Sequence, residues 1–78
     1  SGCAMTLHLL DDKTAPKSQR FRWQLKAKNG KIVAASSEGF STARDCATNV
    51  VKTMNGLYDG YNGYYTVNFE DRQVAVRP

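Results

Sequence analysis

Between Arg20 and Lys28 the chain alternates so regularly that little choice of fold is left. Phe21, Trp23, Leu25 and Ala27 fall on one side, and Arg20, Arg22, Gln24, Lys26 and Lys28 on the other. Successive side chains of an extended strand point to opposite faces, so this period marks a strand with one face buried and one in water. An amphipathic helix would instead group its apolar residues at i, i+3 and i+4. Asn29-Gly30 follows, a pair suited to the positive φ angles of a type I′ hairpin, and Ile32-Val33-Ala34-Ala35 then returns as the partner strand. An antiparallel hairpin with an aromatic inner face and a cationic outer face is the expected centre of the fold.

The flanking sequence supplies the remaining elements. Met5 to Leu10 reads as a short strand, with Met5, Leu7 and Leu9 on one face and Thr6 and His8 on the other. Asp11 to Ser18, polar and containing Pro16, reads as a loop. Glu38-Gly39-Phe40 reads as a turn, after which Ser41 or Thr42 can cap a helix whose stripe is Ala43, Cys46, Ala47, Val50, Met54 and Leu57. Asn55-Gly56 suits a left-handed cap that ends it. Beyond the turn-rich Tyr58 to Gly63, the stretches Tyr64 to Phe69 and Gln73 to Arg77 read as a second hairpin that extends or covers the sheet. The expected fold is α+β, in the order β-β-β-α-β-β: an antiparallel sheet of three to five strands with one helix packed on one face. Residues 5–78 form one domain. Ser1 to Ala4 are set aside as a tag or disordered start ahead of Met5.

The run Arg20-Phe21-Arg22-Trp23-Gln24-Leu25-Lys26-Ala27-Lys28-Asn29-Gly30-Lys31-Ile32-Val33-Ala34, continued by Ser36-Ser37-Glu38-Gly39-Phe40-Ser41-Thr42, resembles the YegP-like family of small uncharacterised prokaryotic proteins. The resemblance covers Ser18 to Met54. It implies a three-stranded antiparallel sheet crossed by one helix, and it implies no established activity. Two features depart from the family pattern. Asn49-Val50 stands where the family's helix usually has Asn-Gly, and the chain carries a single copy of a unit that is often found in tandem.

Charge gives the strongest functional cue. The net charge is +4, and the seven basic residues between Lys13 and Lys31 are interrupted by no acidic one. Such a stretch suits an anionic partner, although a solvated solubility face is the competing reading. With Phe21, Trp23 and Leu25 under the helix, Arg20, Arg22, Gln24 and Lys26 would leave the opposite face together. Arg can contact phosphate or guanine in a bidentate manner and Gln can read adenine, so the row could enter a nucleic-acid groove. Lys28 and Lys31 extend the row at the hairpin tip, completing the candidate binding set. The alternative is a protein–protein module, acting as a homodimer or on an acidic partner, with Tyr58, Tyr61, Tyr64 and Tyr65 as interface candidates.

Catalytic chemistry has little to build on. His8 is the lone histidine and reads as an ordinary exposed strand residue. Cys3, Cys46 and His8 lack metal-ligand spacing, and the Asp11-Asp12 and Glu70-Asp71 pairs read as solvated turn carboxylates. No glycine-rich phosphate loop is present, and no cofactor is expected. Cys46 reads as a small reduced core residue, which fits a cytoplasmic setting. There is no run of about 18 apolar residues to suggest a membrane span.

Overall fold

The structure, a computed structural model, describes residues 5–55 and 65–76. Strand β1 (Met5–Asp11) leads through a single 3-10 turn (Lys17–Gln19) to β2 (Phe21–Ala27), which turns back into β3 (Ile32–Ala35). Helix α1 (Ala43–Asn55) follows, and then β4 (Tyr65–Asn68) and β5 (Gln73–Val76). The first three strands form one antiparallel sheet with β2 in the middle, and β4 and β5 form a second antiparallel pair. This is the α+β order expected from the sequence. The second hairpin is a sheet of its own, because its apolar residues pack on α1. Its turn reaches the edge of β1 through one backbone hydrogen bond, from the Glu70 N–H to the Leu7 carbonyl at 2.8 Å.

Register decides which residues reach the core. Leu9 lies opposite Trp23 and Leu7 opposite Leu25, so both strands contribute apolar side chains to the same face. Helix α1 crosses that face. Trp23 is buried, and its indole Nε1–H donates to Asn49 Oδ1 on the helix at 2.8 Å. Cys46, Ala47, Val50 and Val51 of the helix meet Trp23 from the first sheet and Val67, Phe69 and Val76 from the second hairpin in one core. Burying a valine-sized side chain contributes about 1.5–3 kcal/mol. A helix of 13 residues is marginal alone, so contacts on both flanks are what hold it. The second flank also explains why Val51, outside the expected stripe, is buried.

Local chemistry sets the helix start and the hairpin turn. Thr42 is the N-cap: its Oγ1 accepts from the Asp45 N–H at 3.0 Å, an arrangement that stabilises a helix by about 1 kcal/mol. The hairpin differs from the expected type I′ turn. The Gly30 N–H bonds back to the Ala27 carbonyl, the Ala27 N–H bonds to the Lys31 carbonyl, and only Gly30 has a positive φ, at 85°. This is a three-residue loop, Lys28-Asn29-Gly30, in which a turn is followed by one left-handed glycine. The Asn29 carboxamide accepts from the Lys31 N–H at 3.0 Å and stabilises the tighter geometry. A register shift between Leu25 and Lys26 then places Ile32 opposite Lys26 and Ala34 opposite Leu25.

After β3 the chain makes a second approach to β2. Phe40 and Phe21 exchange both backbone hydrogen bonds, at 2.8 and 2.7 Å. Gly39, immediately before, is pressed against the 3-10 turn. A Cβ there would fall on the Gln19 carbonyl oxygen and within 2.7 Å of the Gln19 carbonyl carbon and Cα. Cys3, Gly56, Leu57, Tyr58, Tyr61, Tyr64 and Arg77 lie outside the described residues.

Candidate functional site

The face of the first sheet opposite α1 is built from the outward residues of three strands. Arg22, Gln24 and Lys26 of β2 run along its middle. The register sets Leu10, His8 and Thr6 of β1 beside them in that order, and Ala35 and Ile32 of β3 beside Gln24 and Lys26. Arg22, Gln24 and Lys26 are half-buried by these neighbours, while Thr6, Leu10, Ile32 and Ala35 are exposed. Sequence reasoning placed the central row here. It overlooked the apolar flank made by Leu10 and Ile32, which becomes visible only when the strands are aligned.

Four of the six candidate residues keep their charge unpaired on this side of the molecule. Arg22, Lys26, Lys28 and Lys31 form no ion pair among the described residues. Lys28 and Lys31 are exposed at the loop that closes β2 and β3. Arg20 is placed differently. It precedes β2 in a helical backbone conformation, with φ −67° and ψ −39°, at the end of the 3-10 turn. Its Nε and Nη2 both donate to the Asp11 carboxylate, the latter at 2.9 Å, and its guanidinium lies 5.0 Å from the centre of the Phe21 ring. Arg20 is therefore held at the β1–β2 end and does not continue the row. The register explains this, since it puts Asp11 opposite Phe21, within reach of Arg20.

The carboxylates near the face are committed to local partners. The Arg20 hydrogen bond holds the Asp11 carboxyl below the usual range. Hydrogen bonds from the Thr14 hydroxyl and amide do the same for Asp12, with a smaller contribution from the Arg22 charge. His8, expected as an ordinary exposed residue, is half-buried with its Nδ1 3.3 Å from a Glu70 carboxylate oxygen. That contact places one acid at the β1 rim, beyond the cationic row. Cys46 is fully enclosed, and burial pushes its thiol up to about 11. It stays protonated at neutral pH, which is the wrong state for a nucleophile.

A concavity lies on the helix side. An open cleft of about 430 Å³ runs between the Glu38–Ser41 loop and the Asp45, Thr48, Asn49 and Lys52 face of α1. No sequence pattern points to it, because it depends on Gly39 bringing the loop down onto the Gln19 backbone. Glu38 and Asp45 both line it, with Lys52 as the one cation. It therefore lacks the single-signed surface that a polyanion needs. Among the described residues no three His, Cys, Asp or Glu side chains gather as a metal site, and no helix is long and apolar enough to cross a membrane.

Residues 17–51 match the family described as a domain of unknown function (DUF1508). That family is the YegP-like one, and the match spans a little under half of the chain. The YegP-like segment runs from the 3-10 turn through β2 and β3 into α1, so it contains the central row, the Gly39 contact and the Trp23–Asn49 link. The resemblance read over Ser18 to Met54 is borne out across nearly that span. Strand β1 and the second hairpin lie outside the match. No curated protein and no solved structure is detectably similar to the chain.

Proposed function

We propose that the domain is a non-enzymatic binding module whose partner, a nucleic acid, lies on the outer face of β1, β2 and β3. One observation carries the reading. Among the described residues no element covers this sheet face, Arg22 and Lys26 leave its central strand with no ion-pair partner, and Lys28 and Lys31 add two more unpaired cations at one end. A row that served only to keep the sheet wet would have no need for the same sign at every charged position. We place the domain in the cytoplasm, where a free thiol such as that of Cys46 is kept reduced.

Salt dependence and substitution test the reading together. Lys and Arg bind phosphates by releasing condensed counterions, with a logarithmic salt slope of about −0.9 per contact. Four contacts give a slope near −3.6, a loss on the order of a hundredfold between about 50 and 200 mM salt. The double variant Arg22→Ala/Lys26→Ala should bind oligonucleotide much more weakly and flatten the slope by about two. A complex indifferent to salt and to that variant would remove the proposal.

A second reading, self-association, draws on the edge of β3. Among the described residues that strand pairs with β2 alone, and Ile32 and Val33 are 54% and 50% exposed on it. An apolar edge without a charge or proline is open to pairing with another strand. The expected signature is a dimer in sedimentation at micromolar concentration that Val33→Lys converts to monomer. A wild-type monomer sets this reading aside.

A further inference from the structure

We infer that the nucleic acid on this face is a double helix, entered through its major groove, and not a single strand. The inference rests on the binding proposal above and adds the form of the ligand.

The described aromatic rings are turned away from this face. Proteins that hold single strands stack bases on aromatic side chains, worth about 1–3 kcal/mol per base. Of the described Phe, Tyr and Trp residues, Trp23 and Phe69 are buried, and Phe21, Phe40 and Tyr65 pack against the core. The outer face presents Thr6, His8, Leu10, Arg22, Gln24, Lys26, Ile32 and Ala35. Among the described residues His8 carries its one ring, and a Glu70 carboxylate oxygen stands 3.3 Å from the Nδ1 of that imidazole. A base stacked there would bring its phosphate towards a carboxylate. Among the described residues this face has no stacking platform.

The dimensions of the sheet match those of a duplex. Arg22, Gln24 and Lys26 follow at every second residue of one strand, hence about 6.8 Å apart, close to two base-pair steps of about 3.4 Å each. Three strands spaced about 4.8 Å apart place the outer two about 10 Å from one another, and the major groove is about 12 Å wide. The central row can follow successive base pairs while the hairpin loop, with Lys28 and Lys31, meets a phosphate rail.

The major groove is where guanine O6 and N7 accept from Arg, where Gln pairs with adenine N6 and N7, and where the thymine methyl is exposed. Arg22 and Gln24 provide the two polar readers, and Thr6, Leu10 and Ile32 provide the methyl contacts beside them. On a solubility face or a single-strand groove, this apolar flank has no partner. Against a major groove it has one.

The test compares four labelled or competing ligands by fluorescence anisotropy at fixed salt: a short mixed-sequence duplex, each of its separated strands, and poly-L-glutamate of matched charge. The duplex should bind at least tenfold more tightly than either strand or the polypeptide. Arg22→Lys, which keeps the charge but removes the bidentate fork, should lower affinity for guanine-containing duplex several-fold and leave adenine–thymine duplex nearly unchanged. Strands that bind as tightly as the duplex would overturn the inference and leave the nucleic-acid reading standing. Equal binding to poly-L-glutamate would overturn it in favour of a generic charged surface. Binding to none of the four would remove both readings.

Discussion

Trp23→Ala should remove a large fraction of the domain's stability. Trp23 is 2% exposed and stands where β2, α1 and the second hairpin meet. Removing a buried Trp side chain costs about 3–5 kcal/mol, and a domain of this size has a total stability of about 4–12 kcal/mol. Trp23→Phe should be milder. It keeps most of the apolar volume but leaves Asn49 Oδ1 without its indole donor, a loss of about 0.5–1.5 kcal/mol added to that of the smaller ring. Denaturant titrations followed by far-ultraviolet circular dichroism measure both. A Trp23→Ala chain within about 1 kcal/mol of wild type would mean that the core is organised around another residue.

Gly39→Ala is the second large effect, and its cause is distinct. Gly39 has no positive φ, so conformational freedom is not what selects glycine there. The reason is space: the new methyl would collide with the backbone of Gln19, which cannot rotate away as a flexible side chain could. The cost should reach the upper end of overpacking penalties, about 3 kcal/mol, and should loosen the Phe21–Phe40 bridge along with the start of α1. Gly30→Ala provides the contrast. Gly30 has nothing within 4 Å of its Cβ position but holds φ at 85°, so only the left-handed backbone cost of about 1–2 kcal/mol applies. Thermal unfolding of the two variants ranks them. If Gly30→Ala proves the more damaging, the close approach at Gly39 is not a constraint on the fold.

These two residues mark the line between what the sequence declares and what it conceals. Trp23 announces its burial through alternation along one strand, and Thr42 announces its cap by standing just before an apolar helical stripe. Each signal lies within a few residues of its effect. Gly39 depends on Gln19, Arg20 on Asp11, and Glu70 on Leu7 and His8; none of these pairings leaves a periodic trace, because each is fixed by how separate elements come to rest. For the same reason Arg20 was indistinguishable from Arg22 in the alternating run, although only Arg22 lies within the sheet. The turn type is hidden for a related cause. Asn-Gly favours a type I′ loop locally, but the bulge between Leu25 and Lys26 changes the register and moves the loop back by one residue.

The candidate face is legible to the same degree. Its central row follows from alternation in β2, whereas its apolar flank and its acidic rim require the registers of β1 and β3 and the position of the second hairpin. The cleft beside α1 is the rival surface, and it differs from the sheet face in sign and in the elements that build it. A ligand can therefore be assigned to one or the other by location alone.

The most direct measurement is an amide chemical-shift titration of the isotopically labelled domain with a short duplex oligonucleotide. The account predicts that the largest perturbations fall on Arg22, Gln24, Lys26, Lys28 and Lys31 and on the flanking Thr6, His8, Leu10 and Ile32, while Asp45, Thr48, Asn49 and Lys52 stay still. Perturbations centred on those four helix residues, or none at saturating duplex, would contradict it.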